Sequence, residues 1–276
     1  MRSPNDRVDD AVRRRRVVCI LHFAFCIALS VACGARRLPL PSDPGSPLPD
    51  FREIHARVSS TCRGVRTLTA EIGLRGRAGG QRLSGRLHAG FERPDSMHLE
   101  AVAPFGPPAF ILAARGPVAV LLLPREDRVV RDESADAILG ALTGVSLAPA
   151  DLQAILAGCV VPAPRASGGR LHADGWASID LDGGATIYMR RAGEWQLRAA
   201  RRDGWQVEYP SWQGAFPASI RLRSVPPSVD VDMTATLTQI EANVDLSAEA
   251  FAIDVPRSAR PLTLAELRDA GPLGEK

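Results

Sequence analysis

Apolar residues follow two periods along this chain, and the first is the period of a helix. Phe51, Ile54, Val58, Cys62 and Val65 recur at spacings of three and four, which places them on one face of a helix. The pattern predicts an amphipathic helix that lies in front of a series of strands.

From Leu68 the period changes to two. Apolar residues alternate with polar or small ones as far as Leu74, and again over residues 83–91 after the turn residues Gly79 and Gly80. Such alternation predicts a hairpin with one apolar and one polar face. Further strands are predicted over residues 97–103, 110–114, 118–123, 128–131, 176–181, 185–190, 194–200, 204–209, 218–223 and 229–244.

Two short amphipathic helices are predicted between these strands. One ends at Gly144, and the other follows Pro149 and ends at Gly158. Helices of two or three turns are unstable unless they pack against something. Residues 134–158 are therefore interpreted as a helical lid over a sheet.

Roughly a dozen strands with few helices predict a mainly β protein with a strongly curved antiparallel sheet. A sheet of this size tends to curl into a barrel, and a barrel of more than eight strands has room inside. The apolar face then lines a cavity or packs into a solid core.

The N-terminal segment has the features of an export signal. Four consecutive arginines at 13–16 precede an apolar run over residues 17–32. The run is shorter than the roughly 20 residues that a helix needs to cross a bilayer. A charged block before a short apolar run is typical of a secretory signal, so residues 1–32 are predicted to be a signal peptide.

The end of this run resembles a bacterial lipobox. The string Leu-Ser-Val-Ala-Cys-Gly places a small residue before Cys33, which implies that Cys33 carries fatty acids such as palmitate and becomes the new N-terminus. An ordinary signal peptide, or an uncleaved anchor with an incidental cysteine, are the alternatives. Residues 33–50 are rich in proline, which favours an extended tether.

The leader also contains the whole excess of positive charge. Residues 1–32 contain six arginines against three aspartates, a surplus that equals the net charge of +3 of the full chain. The remainder is neutral, whereas nucleic acid binding needs a positive surplus. We expect no nucleic acid partner.

Two cysteines follow Cys33 in the sequence, Cys62 and Cys159. If Cys33 carries lipid, these two are alone in an oxidising compartment. They either form a disulfide or stay buried and free.

Pro104, Phe105 and Gly106 lie in a Pro/Gly-rich stretch between two predicted strands. Turns normally expose polar residues, and proline cannot donate to a strand ladder. Phe105 is therefore either tucked back against the sheet or exposed for insertion into a membrane or a partner.

Motifs of known catalytic sites are missing from the sequence. The histidines lack metal-ligand spacing, and there is no G-x-S-x-G elbow, P-loop or dinucleotide fingerprint. Residues 180–184 are better explained as a hairpin turn than as a calcium loop, which would need a closing Glu. We expect a protein without cofactor that is not an enzyme.

Residues 97–158 carry a resemblance to a known family. A strand, a Pro-apolar-Gly turn, two more strands and two short helices follow in that family's order. The helices match L-x-G-x-x-L-x-P-x-D-L-x-x-x-L-x-G at Leu142, Gly144, Leu147, Pro149, Asp151, Leu152, Leu156 and Gly158. Residues 51–255 thus resemble LolB, the outer-membrane lipoprotein that receives other lipoproteins from a periplasmic carrier, and the related LolA-like fold.

The resemblance implies an incomplete, half-open antiparallel β-barrel of about eleven strands, whose helices cap an apolar cavity. The barrel domain would span residues 51–256, with residues 257–276 as a C-terminal tail. Phe105 occupies the turn where LolB carries an exposed aliphatic residue needed for insertion into the outer membrane.

The resemblance also implies partners and a location. These are the acyl chains of lipoproteins, a LolA-like periplasmic carrier and the outer membrane; we expect a monomer at its periplasmic face. Gly34 is consistent with a location in the outer membrane, because the usual inner-membrane retention signal at that position is Asp. Two other functions stay open: a carrier or sensor for another hydrophobic ligand, and a structural envelope lipoprotein, for which a filled core would be the sign.

Overall fold

A computed structural model describes residues 38–162, 165–202, 204–225 and 230–270 of the chain. The proposed signal peptide, Cys33 and residues 271–276 lie outside these ranges. Residues from Pro41 onwards belong to one compact unit, and this unit contains the strands and helices of the described ranges. None of these helices is both long enough and apolar enough to cross a bilayer.

Strands outnumber helices throughout this unit. The strands are β1 (Ser46–Pro47), β2 (Thr67–Ala78), β3 (Gln81–Glu92), β4 (Ser96–Val102), β5 (Ile111–Arg115), β6 (Val118–Leu123), β7 (Arg128–Glu133), β8 (Ala166–Leu171), β9 (Trp176–Leu181), β10 (Thr186–Ala192), β11 (Glu194–Arg202), β12 (Trp205–Gln213), β13 (Phe216–Ser224), β14 (Val231–Ala242) and β15 (Arg260–Pro261). The α-helices are α1 (Phe51–Val58), α2 (Ser60–Gly64), α3 (Ala135–Thr143), α4 (Pro149–Leu156) and α5 (Leu264–Asp269).

All these strands belong to one sheet, in the order β1-β8-β9-β10-β11-β12-β13-β14-β2-β3-β4-β5-β6-β7-β15. Neighbours are antiparallel except for the short parallel pair of β7 and β15. Two meanders, β2 to β7 and β8 to β14, join where β14 pairs with β2 from Val231 opposite Ala78 to Ala242 opposite Leu68. The chain crosses from β7 to β8 through α3 and α4, so these helices connect strands that lie far apart in the sheet order.

The predicted fold class, a mainly β protein with an open antiparallel sheet, is confirmed. The sheet has more strands than the expected eleven or so, because the alternation of apolar and polar residues does not predict β1, β8 and β15. Two of them are two residues long, and β8 has the sequence Ala-Ser-Gly-Gly-Arg-Leu, which lacks apolar alternation.

One continuous apolar cluster fills the space between the helices and the sheet. Leu68 and Ile72 of β2 are buried, whereas the alternate residues of that strand face the other side. The cluster continues through the buried faces of the other strands and of α3 and α4, and it includes Leu267 of α5. Residues 41–276 therefore contain the complete sheet and its core, which allows them to fold without the leader.

Two predicted boundaries need correction. The tether ends earlier than residue 50, because Leu48 donates its N–H to the carbonyl of Gly169 (3.0 Å) and Ser46 pairs with Leu171 of β8. The C-terminal tail is part of the body: β15 pairs with β7, and α5 packs against α3. The sequence shows a weak helical pattern at Leu264–Leu267, but segments this short give no signal of the elements that they pair or pack with.

Candidate functional site

The loop between β4 and β5 presents Phe105 to solvent. Its side chain is 90% exposed, more than any other large apolar side chain in the described ranges. Hydrogen bonds between Ala101 and Phe110 and between Ala109 and Ala101, both 2.9 Å, close the base of the loop. Of the two positions that the sequence left open for this residue, the structure shows the exposed one.

The backbone of the loop is held in place. Arg125, in the turn after β6, donates from Nε to the carbonyl of Pro107 (3.2 Å) and from a terminal guanidinium nitrogen to that of Phe105 (3.3 Å). Gly106 has a φ of 77°, a conformation that glycine adopts without strain. Pro104 and Gly106 are exposed beside the aromatic ring. The backbone of the loop is thus fixed by hydrogen bonds, while its apolar side chain is exposed to solvent.

Apolar side chains fill much of the space between the helices and the sheet, where the resemblance implied a capped apolar cavity. The space bounded by His55, Val58, Gly158, Leu181 and Leu197 measures about 10 Å³, about the size of a single water probe. Val58, Leu181 and Leu197 among its walls belong to the continuous apolar cluster. An acyl chain could enter only if a helix moved and the core side chains parted.

Helix α4 is held by polar contacts from three other elements. Gln153 donates from Nε2 to the carbonyl of Arg66, in front of β2 (3.0 Å). Arg202 of β11 forms an ion pair with Asp151 (2.7 Å), in which each side chain is 20% exposed. The hydroxyl of Tyr209 in β12 lies within hydrogen-bond distance of the carbonyls of Ile155 in the last turn of the helix (3.3 Å) and of Cys159 just beyond it (3.0 Å).

The segment after α4 is held as firmly. The structure joins Cys62 of α2 to Cys159 in a disulfide, with their Cα atoms 5.8 Å apart, a separation ordinary for such a bond. Gly158 has a φ of 88°, and a side chain there would collide with the ring of Trp212. Burial raises the pKa of Tyr209 above its ordinary value, so this hydroxyl stays protonated and can donate.

Helix α3 has a different kind of environment. It packs on β5, β6 and α5, and its buried side chains, Ile138 and Leu142 among them, are apolar. Among the described residues, its hydrogen bonds stay within positions 134–146, including the cap from the side chain of Ser134 to the N–H of Ala137 (3.4 Å). Of the two lid helices, α3 can move away with fewer polar groups left unpaired.

A wider cleft lies on the other face of the sheet, where the sequence predicted nothing. It measures about 540 Å³ and is bounded by β2, β3, β4, β14 and the segment at 246–251. Carboxylates and imidazoles line it, including Glu71, His88, His98 and Glu100. Burial lowers the pKa of His98, and Glu100 and the backbone at Ala250 oppose this shift. A lining of this kind does not suit an acyl chain.

Two further expectations concern metal binding and the lipid anchor. Residues 181–185 form the turn between β9 and β10, where Leu181 donates its N–H to Ala185 (2.7 Å). In the part of the chain that the structure describes, no three acidic, histidine or cysteine side chains converge to hold a metal ion. Cys33 lies outside the described residues, so its acylation stays a prediction.

No protein-family model matches this sequence, and no curated protein is similar to it. Among solved structures, it is similar to a LolA superfamily protein from Nitrosomonas europaea, with 10% identity, a TM-score of 0.50, and coverage of 73% of this chain and 96% of that one. The chain has a LolA-like fold. It is also similar to a DUF1329 family protein from Desulfovibrio piger, with 13% identity, a TM-score of 0.47, and coverage of 75% and 98%. Such low identities concern the fold and leave the narrower resemblance to LolB as a proposal.

Proposed function

We propose that this protein is an envelope lipoprotein that binds acyl chains between its helices and its sheet and passes them to a membrane at the Phe105 loop. In its specific form, the proposal is that it receives lipoproteins from a LolA-like periplasmic carrier and helps to insert them into the outer membrane. A lipid on Cys33 would hold it there. The proposal includes no chemical reaction and no cofactor.

The observation that carries the proposal is the exposure of Phe105 on a supported loop. A phenylalanine is normally buried, and its exposure brings no gain to folding. Membranes and apolar partners can accept such a side chain, whereas water cannot do so favourably. The loop also lies at one end of a sheet whose helix-covered face is mostly apolar, so a chain released from that face at this end would meet the membrane directly.

The physical role of such a protein is to keep acyl chains out of water. Each CH₂ group is worth about 0.8 kcal/mol when it leaves water, so an exposed chain would cost more than about 10 kcal/mol. Because the interior is packed in this state, binding requires α3 to move away. A lid that closes in the absence of cargo keeps the apolar face covered between transfers.

The first experiment measures binding and delivery separately. Residues 41–276 are mixed with a fluorescent fatty acid, and the native chain is tested for transfer of a lipoprotein from a LolA-like carrier to vesicles. Phe105→Glu should bind the probe as the native chain does but deliver poorly. The matched control is Val118→Glu, at an apolar position that is 51% exposed at the start of β6; it should bind the probe and deliver the lipoprotein as the native chain does. Loss of probe binding in Phe105→Glu would contradict the proposal and assign Phe105 to the fold.

A structural envelope lipoprotein is the second candidate, and the packed interior favours it. A core without space for a ligand is what a scaffold protein would show. Absence of probe binding, together with unchanged localisation of other lipoproteins when the protein is removed, would support this function. Probe binding without an effect on lipoprotein localisation would instead indicate a carrier or sensor for another hydrophobic ligand.

A further inference from the structure

Four arginines cluster on the outer face of the β2–β3 hairpin, close to its tip. All four are exposed and point away from the core: Arg75, Arg77, Arg82 and Arg86. Arg77 lies directly opposite Arg82, and Arg75 lies opposite Ser84. Like charges placed opposite each other on neighbouring strands destabilise a sheet, so this arrangement has no benefit for folding.

The cluster lacks acidic partners within the part of the chain that the structure describes. Asp232 pairs in register with Arg77, and Glu71 and Glu100 lie opposite His88, diagonally across from Arg86. Asp232 is already bound by Arg221 through two contacts of 2.7 Å. Asp230 is exposed beside the hairpin turn, and Glu126 and Asp127 lie in the turn between β6 and β7 at the same end of the sheet. The hairpin tip therefore carries a clear surplus of positive charge.

The cluster and the Phe105 loop share one end of the sheet. Arg86 lies opposite Val102, the last residue of β4, and the loop with Phe105 begins directly after it. The turn at Gly79 and Gly80 lies at the same end, because β3 starts there. The exposed side chain of Phe105 and the arginine cluster thus lie toward the same end of the sheet.

We infer that this end of the sheet docks on a membrane surface that contains anionic phospholipid. Guanidinium groups match phosphate in charge and in the geometry of their donors, and Phe105 would enter the interface. Only the part of this inference that concerns Phe105 rests on the proposed function. It adds that the arginines select the charge of the membrane, independently of what the interior binds.

The test uses residues 41–276 and sedimentation with vesicles of phosphatidylcholine, with and without phosphatidylglycerol. The native chain should bind the anionic vesicles and release them in about 1 M salt, where charges are screened beyond about 3 Å. Arg77→Gln with Arg82→Gln should weaken binding by about 25-fold, since each arginine near such a surface contributes about five-fold. The urea midpoint of this double variant should not fall below that of the native chain, because a repulsive pair of charges has been removed.

The matched control removes the same charge elsewhere. Arg52 and Arg63 are exposed on α1 and α2, and Arg63 precedes the start of β2, at the end away from the hairpin tip. Arg52→Gln with Arg63→Gln should leave vesicle binding nearly unchanged. Equal loss in both double variants, or equal binding to neutral and anionic vesicles, would overturn the inference.

Two further arms of the experiment distinguish lipid docking from an acidic protein partner and from apolar insertion. Arginine-dependent binding to polyglutamate without binding to vesicles would overturn the inference in favour of an acidic protein partner. Binding that is lost in Phe105→Ala but unchanged in the arginine variant would overturn it in favour of apolar insertion alone. Binding of the fluorescent fatty acid should be native in the arginine variant, so a failure of the proposed acyl site would be seen separately.

Discussion

Helices α3 and α4 cover the same sheet and follow each other in the chain, yet they are held by different forces. Helix α4 is fixed by an ion pair, a side-chain amide, a buried tyrosine and a disulfide just beyond its end. Helix α3 packs through apolar side chains, and its hydrogen bonds are local. Apolar contacts have no direction and can be remade, whereas buried polar groups lose their partners when they separate. We therefore expect that α3 moves when the interior opens and that α4 stays in place.

The largest expected effect comes from removal of the disulfide. Cys62→Ala with Cys159→Ala should lower the free energy of unfolding by about 2–5 kcal/mol, because the bond closes a long loop in the unfolded chain. The two cysteines are 97 positions apart. Urea unfolding measures the loss, and hydrogen exchange should show faster opening of α4. Equal acceleration in both helices would contradict the proposed difference between them.

A smaller effect is expected from Leu267→Ala in α5. This side chain is 1% exposed, and its helix packs against α3. Truncation should cost about 2–4 kcal/mol through the cavity that it leaves. It should also increase the rate of binding of the fluorescent fatty acid, because α3 loses its support. Thermal unfolding and stopped-flow fluorescence measure these effects, and a slower or unchanged rate would show that α3 is not the moving part.

Tyr209→Phe tests a single polar contact of α4. The hydroxyl contacts the carbonyls of Ile155 and Cys159, and its removal leaves buried acceptors without a donor. We expect a loss of about 1–2 kcal/mol in the free energy of unfolding. Hydrogen exchange should accelerate in α4 and stay native in α3.

The smallest effect concerns pH and His55, which borders the small space beside Gly158 and Cys159. Burial, and then the charge of Arg63, lower the pKa of His55 from its ordinary value of 6.5. The unfolded chain therefore binds the proton more readily. The stability that His55 contributes is complete above about pH 6.5 and is lost as the pH falls below that value. Urea midpoints from about pH 7.5 to about 5.5 should fall less in His55→Gln than in the native chain.

His98 provides the control for this titration. Burial also lowers its pKa, but it lies in the polar cleft of the other face. His98→Gln should reduce the pH dependence of stability without an effect on hydrogen exchange in α4. If both substitutions change hydrogen exchange in α4 to the same extent, protonation of His55 destabilises the whole fold and has no specific effect on α4.

Much of the fold could be predicted because one face of an antiparallel sheet is buried. The hairpin of β2 and β3 follows from strict alternation, and the lid helices follow from apolar spacing that ends at Gly144 and Gly158. The pairing of β14 with β2 could not be predicted, since strand partners distant in sequence leave no local signal. The residues of α5 show a weak helical pattern at Leu264–Leu267, but its packing against α3 could not be predicted for the same reason.

The candidate site divides in a similar way. The sequence identified Phe105 as unusual, because its neighbours are residues of turns, but left two positions for its side chain. The ion pair of Arg202 with Asp151 was missed, since these residues are far apart in the chain and each looks like an ordinary surface charge. The arginine cluster was missed because its members are separated in sequence and meet only across paired strands.

The sequence by itself determined the mainly β architecture, the position of the lid and the apolar residue in the β4–β5 turn, because hydrophobic period and turn chemistry are local properties. The tertiary structure decided that apolar side chains fill the space under the helices, that α4 has polar partners and a disulfide nearby while α3 packs through apolar side chains, and that Phe105 and the arginine cluster lie toward one end of the sheet. Packing density, ion pairs and surface charge depend on which distant segments come together, and that follows from the pairing of strands across the whole chain.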